Sequence, residues 1–143
     1  MAAGRAGVAL LKRDYPHITH LRDVQDVEWV ELEPRLPESI SVAQLTAQGL
    51  ALGDIPGVPA EAPLRVRACC RHVWSENRRV LDAVAAMRSG HVAQLGALMN
   101  AAHASARDDY AISCPEIEVL VNAARQVDGV AGARLTGAAG AAA

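Results

Sequence analysis

The chain has no phenylalanine among its 143 residues, and it has only two tryptophans and two tyrosines. Alanine supplies much of the hydrophobic fraction of 51%, and an alanine side chain buries little apolar area. Because hydrophobic stabilisation scales with buried area at about 25 cal/mol per Å², a core of such residues is thin. The length suits a single domain, so the composition predicts one domain of marginal stability.

Other features are missing as well. No apolar run approaches the ~20 residues that a membrane-spanning helix needs, and the N-terminus lacks the charged-then-apolar pattern of a secretory signal. The net charge is −2, and no basic stripe stands out, which disfavours nucleic-acid binding. We therefore expect a cytoplasmic protein with neither a membrane nor a nucleic-acid partner.

Cysteine and histidine form no recognisable site. Cys69 and Cys70 are neighbours, Cys114 stands alone, and an odd count without secretory context indicates reduced thiols. We expect each cysteine to be a small core residue. The five histidines lack the closed set of ligands of a zinc site, so no metal site is predicted.

The first half of the sequence is broken by proline and glycine. It suggests a short helix over residues 3–14 and a second one that begins with a capping box at Ser41. Residues 53–63 carry three prolines and two glycines and are expected to form an extended loop. We interpret residues 1–63 as a segment that leads into a more regular lobe at 64–138.

That lobe has helical periodicity. One helix is predicted over residues 64–89, with Gly90 as its stop, and an antiparallel neighbour begins at residue 92. A third helix is predicted from Ser113, which would cap it together with Glu116, while Pro115 occupies the first turn. Its expected buried side consists of Ile117, Leu120, Val121, Ala124 and Val127.

The last part of the lobe predicts a strand. Residues 130–136 alternate weakly and run into a glycine-rich turn, and residues 139–143 form a low-complexity tail. Glycines after a strand let backbone N–H groups approach a phosphate, but the run is neither a Walker pattern nor a dinucleotide fingerprint. A plain strand and turn and a phosphate loop both remain open from these residues alone.

His103, Ser105 and Asp108 invite comparison with a hydrolase triad. Close neighbours on one helix cannot converge as a triad does, and no nucleophile elbow is present. A structural histidine at a helix end is the simpler interpretation of His103.

Several runs occur in the same order and at the same spacing as in galactokinases, which belong to a superfamily with homoserine, mevalonate and phosphomevalonate kinases. The runs are RHVWSENRRV (71–80), LMNAAHAS (98–105), RDDY (107–110), SCPE (113–116) and GARLTGA (132–138). In the first half, LLKRDYPHI (10–18), LRDV (21–24) and IPGVP (55–59) are similar to the segment that leads into the C-terminal lobe. The chain thus resembles the C-terminal portion of a galactokinase, most specifically over residues 98–116.

The resemblance implies a fold and a reaction. The fold is α+β, the C-terminal lobe of the small-molecule kinase superfamily with helices packed on an antiparallel sheet, here incomplete at its C-terminal end. The reaction of the intact family transfers the γ-phosphoryl group of ATP, bound with Mg²⁺, to the 1-hydroxyl of galactose, largely by positioning and charge stabilisation. A complementary N-terminal lobe closes the active site in that family.

The resemblance also implies a site. The family's third motif is a glycine-rich loop at the active site, and it is expected to shape the phosphate region through backbone approach. Its matches here are Gly132, Arg134, Thr136, Gly137 and Ala138. No catalytic residue and no metal ligand are assigned.

The departures from the family concern catalysis. Its sugar-contacting motif, its glycine-serine-rich ATP loop and its catalytic aspartate have no match in these 143 residues. We therefore expect a truncated galactokinase that is inactive alone. The alternatives are a non-catalytic binding or regulatory module that pairs with a separate N-terminal lobe, and a non-functional gene remnant or incomplete gene model.

Overall fold

A computed structural model describes residues 2–53 and 55–137 of the chain. The regular structure within these residues is helical, with 3₁₀ turns at Leu21–Val24 and Glu33–Arg35. The α-helices in chain order are α1 (Ala2–Leu11), α2 (Trp29–Leu32), α3 (Val42–Ala47), α4 (Val66–Arg88), α5 (Val92–Asp108) and α6 (Pro115–Arg125).

The chain divides into two compact units, Met1–Trp74 and Ser75–Ala143. The division falls inside α4, so one helix contributes residues to both units. The division of the sequence after residue 63, with a lobe at 64–138, stays a prediction.

The first unit has a core of large aliphatic side chains. Leu11, Leu32, Leu36 and Leu45 are each no more than 1% exposed. Trp74 packs on this core and donates its indole N–H to the Val27 carbonyl at 3.1 Å. Its large apolar ring is thus partly buried while its polar group keeps a partner.

The capping box predicted at Ser41 is confirmed. The Ser41 hydroxyl accepts the Gln44 N–H at 3.1 Å, and the Gln44 side chain accepts the Ser41 N–H at 2.8 Å. These two bonds satisfy donors that the start of a helix otherwise leaves free, which explains why α3 begins there.

The predicted antiparallel sheet is wrong for the residues that the structure describes. Their one β-pairing is an isolated antiparallel bridge between Ile40 and Leu64. Residues 130–136, the predicted strand, have no strand beside them in the part of the chain that the structure describes. A strand needs a neighbouring backbone for its hydrogen bonds, whereas this segment finds its partners on helix side chains.

The second unit has a thinner core than the first. Among its described residues, 75–137, the buried apolar ones are Ala86, Ala102, Ala106, Val121 and Leu135. Three of these five are alanines, so little apolar area is removed from water. This agrees with the core expected from the composition.

One detail predicted for α6 is wrong, and another is only partly right. Cys114, not Ser113, is the N-cap residue, because the Ser113 hydroxyl donates instead to the Glu118 carboxylate. On the predicted buried side, Val121 is 6% exposed but Leu120 is 69% exposed. Helical periodicity identifies an apolar stripe without saying whether a neighbour covers it.

The cysteines divide between interior and surface. Cys69 and Cys70 are buried as expected, whereas Cys114 is exposed, against the expectation. Burial raises the pKa of the Cys70 thiol far above its ordinary range, which keeps it protonated and unreactive.

No helix within residues 2–53 and 55–137 combines the length and the apolar character that crossing a bilayer demands.

Candidate functional site

The extended segment after α6 lies directly against α5. Gly132 and Gly96 meet there backbone to backbone, and a Cβ on either residue would overlap main-chain atoms of the other segment. Two residues without side chains are therefore required for this approach. The contact fixes where the glycine-rich run begins relative to α5.

Ala133 is held through both of its backbone polar groups. Its N–H donates to Asn100 Oδ1 at 3.1 Å, and its carbonyl accepts from the Arg125 guanidinium at 3.0 Å. Side chains from α5 and α6 thus provide the donor and acceptor that a neighbouring strand provides in a sheet.

Leu135 is held in the same manner. Its N–H donates to His103 Nδ1 at 3.3 Å, and the two residues are 7% and 1% exposed. Asn100 and His103 are three residues apart and therefore share one face of α5. That face binds alternate residues of the extended segment, Ala133 and Leu135.

The intervening Arg134 is anchored on α4. Its guanidinium lies 3.0 Å from one Glu76 carboxylate oxygen, while the other oxygen pairs with Arg79 at 2.5 Å. The Arg134 Nε also donates to the Leu135 carbonyl at 3.0 Å. Glu76 is 17% exposed, so one partly buried carboxylate serves two guanidinium groups.

A second polar cluster lies on the other side of His103. Its Nε2 is 3.1 Å from Glu118 Oε1, although the alignment is too poor for a hydrogen bond. Glu118 also accepts the Ser113 hydroxyl and pairs with Arg107 at 3.4 Å. The Ser113 hydrogen bond, with help from Arg107, holds the pKa of Glu118 below its ordinary value.

A shallow cleft between α4 and α5 borders this site. Its volume is about 60 Å³, well below the ~300 Å³ at which ligand pockets begin. Arg79 and Arg134 are its charged walls, and the remainder is apolar. The apolar lining residues are Val80, Ala83, Leu95, Leu98, Met99 and Ala102.

Known proteins are similar in sequence to the part of the chain that contains this region. Residues 83–142 match the family described as "GHMP kinases C terminal". The galactokinase of a Roseiflexus species is 41% identical over 133 residues, which are 93% of this chain and 27% of that protein.

Two further galactokinases match more closely over shorter stretches. That of Mannheimia succiniciproducens is 54% identical over 85 residues, 59% of this chain and 21% of the relative. The human enzyme is 52% identical over 67 residues, 47% of this chain and 17% of the relative.

The resemblance to the C-terminal portion of galactokinases is confirmed. The chain spans about a quarter or less of the length of these galactokinases. Asn100, His103 and Arg134 all lie within the stretch that matches the GHMP kinase family, whereas Glu76 precedes it.

The residues expected to match the galactokinase third motif lie together. Gly132 and Arg134 belong to the held part of the segment, and Thr136 and Gly137 form its exposed end, where Gly137 has φ +76°. Ala138 lies outside the described residues.

The sequence alone did not identify Asn100, Arg125 and Glu76 as part of this region. His103 was predicted to be a structural histidine, and it is buried and hydrogen-bonded, in agreement with that role. The LMNAAHAS run contains both α5 contacts, and its resemblance to galactokinases is the signal that could have identified them.

The region offers no evident metal centre. Within residues 2–53 and 55–137, no three His, Cys, Asp or Glu side chains come together in a way that could hold a metal ion.

Proposed function

We propose that this chain is the C-terminal-lobe part of an ATP-dependent galactose kinase, and that these 143 residues do not phosphorylate galactose by themselves. The observation that carries the proposal is the 41% identity to a galactokinase across 93% of the chain. In the parent reaction, galactose and Mg·ATP are the substrates, and the products are galactose 1-phosphate and ADP. We place this reaction in the cytoplasm.

The role proposed for this chain is to present residues 132–138 to the phosphate region. Thr136 and Gly137 are exposed and form the end of the segment that would face the phosphates. The contact of Gly132 with α5 fixes where the segment begins. Arg134 acts as an anchor, because Glu76 and the Leu135 carbonyl already occupy its guanidinium. Phosphoryl transfer depends on such positioning.

We expect the isolated chain to be inactive because it lacks the groups that catalyse the reaction in the family. The sequence offers no match for the catalytic aspartate or the ATP loop of the family, and the described carboxylates do not gather into a metal site. We assign no proton transfer and no metal-dependent step to these residues.

The test is a coupled assay of galactose-dependent ADP release. The chain alone should give the blank rate with galactose and Mg·ATP. Adding the N-terminal portion of the Roseiflexus galactokinase, under conditions in which that portion alone gives the blank rate, should restore release. Gly132→Val, whose side chain meets the α5 backbone, should abolish the restoration, while Gly129→Asn, a residue type that tolerates positive φ, should keep it.

Two results would contradict the proposal. Activity of the chain alone would disprove the inactivity. A folded chain that restores no activity to the N-terminal portion, at any ratio of the two, would argue against its place in a galactokinase.

A second candidate function is a non-catalytic module that pairs with a separate lobe. It is supported by the exposure of large apolar side chains in the second unit, such as Leu81 at 65%, Val92 at 65% and Leu120 at 69%. Covering such residues is a common reason for association. Thermal unfolding with and without Mg·ATP and galactose tests ligand binding directly, since a ligand that prefers the native state raises the midpoint.

A further inference from the structure

His103 is sealed from solvent with its two ring nitrogens facing different partners. It is 1% exposed, and its Nδ1 accepts the Leu135 N–H while its Nε2 faces the Glu118 carboxylate. A backbone N–H can act only as a donor, so Nδ1 carries no proton in this arrangement. The geometry therefore requires the neutral ring, with its proton on Nε2.

We propose that His103 is a proton-controlled latch on the glycine-rich segment, an inference that rests on the function proposed for that segment. Protonation of the ring places a hydrogen on Nδ1, where it opposes the Leu135 N–H. Two donors then face each other and the hydrogen bond is lost. The resulting imidazolium is attracted by the Glu118 carboxylate, whose Oε1 lies 3.1 Å from Nε2, so the charged ring is stabilised while Leu135 is released.

The charges around the ring favour this release. From α6, Glu118 lies 3.1 Å away, and from α5 the Asp108 carboxylate interacts electrostatically with the ring. Arg107 opposes them but is paired with both carboxylates. Next to Leu135, Arg134 is paired with Glu76.

The direction of the pH effect follows from proton counting. The released state binds a proton at Nδ1 that the latched state excludes, so lowering the pH favours release.

The experiment measures amide hydrogen exchange of Leu135 by NMR in the full chain, without sugar or nucleotide. The protection factor corrects for the intrinsic pH dependence of exchange. The protection factor of Leu135 should fall by about tenfold or more between about pH 8 and about pH 5. The protection factor of Val121 in α6 should stay the same. Over the same range the ring nitrogen shifts should change from an unprotonated Nδ1 to a ring protonated at both nitrogens.

The matched variants are His103→Asn and His103→Gln. Asparagine places an acceptor near the position of Nδ1 but does not titrate, so Leu135 should stay protected at both pH values. Glutamine places its amide nearer the position of Nε2, so Leu135 should be unprotected at both.

Equal pH responses of Leu135 in wild type and His103→Asn would overturn the proposal. So would a wild-type ring that protonates while Leu135 stays protected, a result that needs no variant to fold. Because no substrate is present, these outcomes are separate from the assay of ADP release.

Discussion

At the scale of single residues, glycine sets how closely segments approach. Gly7 of α1 faces the buried Cys70 thiol, and a Cβ at this position would overlap the sulfur. Gly4, one turn earlier, has only an ordinary contact, with Cys69 Sγ 4.0 Å from such a Cβ. A side chain is therefore excluded at Gly7 but not at Gly4, although both glycines belong to the same helix.

Substituting alanine at each should have opposite effects. Gly7→Ala should lower the free energy of unfolding by about 1–3 kcal/mol through overpacking against Cys70. Gly4→Ala should raise it by about 0.5–1 kcal/mol, because alanine loses less backbone entropy in a helix. Urea unfolding followed by tryptophan fluorescence measures both.

Cys70→Ala provides the control for that explanation. It removes the sulfur, so Gly7→Ala should cost less in this background than in wild type, as a double-mutant cycle would show. Equal costs in the two backgrounds would mean that the overlap with Cys70 is not the cause.

At the scale of elements, local signals predict the helices well and their surroundings poorly. The helix predicted over residues 64–89 is observed as Val66–Arg88, and Pro115 occupies the first turn of α6 as predicted. These features depend on neighbours in sequence. The buried face of α6 and the strand at 130–136 depend on distant parts of the chain. The first prediction is only partly right, since Val121 is buried but Leu120 and Val127 are exposed, and the second is wrong.

The candidate site divides in the same way. Gly132 and Arg134 are found through a motif that stands together in the sequence. The segment is held by Asn100 on Ala133, by His103 on Leu135 and by Glu76 on Arg134. Each of these side chains is between 32 and 58 residues away from the group it binds. Hydrophobic periodicity and local motifs do not predict contacts between residues so far apart in the sequence. The family resemblance identifies the similar runs, but it does not say which of their residues form hydrogen bonds.

The Glu76 anchor can be tested by removing its charge. Glu76→Gln should lower the free energy of unfolding by about 1–2 kcal/mol, because two partly buried guanidinium groups lose their carboxylate. The effect should exceed that of Glu38→Gln, whose pairing with Arg67 at 3.7 Å involves a side chain 87% exposed and is worth a few tenths of a kcal/mol at most.

Amide exchange at Leu135 adds a local measurement for the same pair of variants. It should become faster in Glu76→Gln and remain unchanged in Glu38→Gln. If both variants leave stability and exchange as in wild type, Glu76 does not anchor Arg134 in solution.

At the scale of the whole molecule, the large aliphatic side chains are concentrated in the first unit. The cluster that contains Leu11, Leu32, Leu36 and Val66 lies entirely within Met1–Trp74. In the second unit, the buried apolar positions within residues 75–137 are few and mostly alanine. A core mutation in the first unit should therefore have a large effect even in a chain with so few aromatic residues.

Helix α2 offers a matched comparison for that expectation. Leu32 is 1% exposed, and Val30, two residues earlier, is 74% exposed. Leu32→Ala should cost about 2–5 kcal/mol of unfolding free energy through the cavity it leaves. Val30→Ala should change it by no more than about 0.5 kcal/mol, and tryptophan fluorescence reports both, since Trp29 and Trp74 lie in this unit.

The unequal burial of the thiols gives the chain a ready position for chemical labelling. Cys69 and Cys70 are buried and their pKa values are raised, so a maleimide dye added to the folded chain should couple at Cys114 alone. Cys114 directly follows Ser113, whose hydroxyl binds Glu118. A fluorophore there, introduced without any mutation, would report on the polar cluster beside His103 in real time.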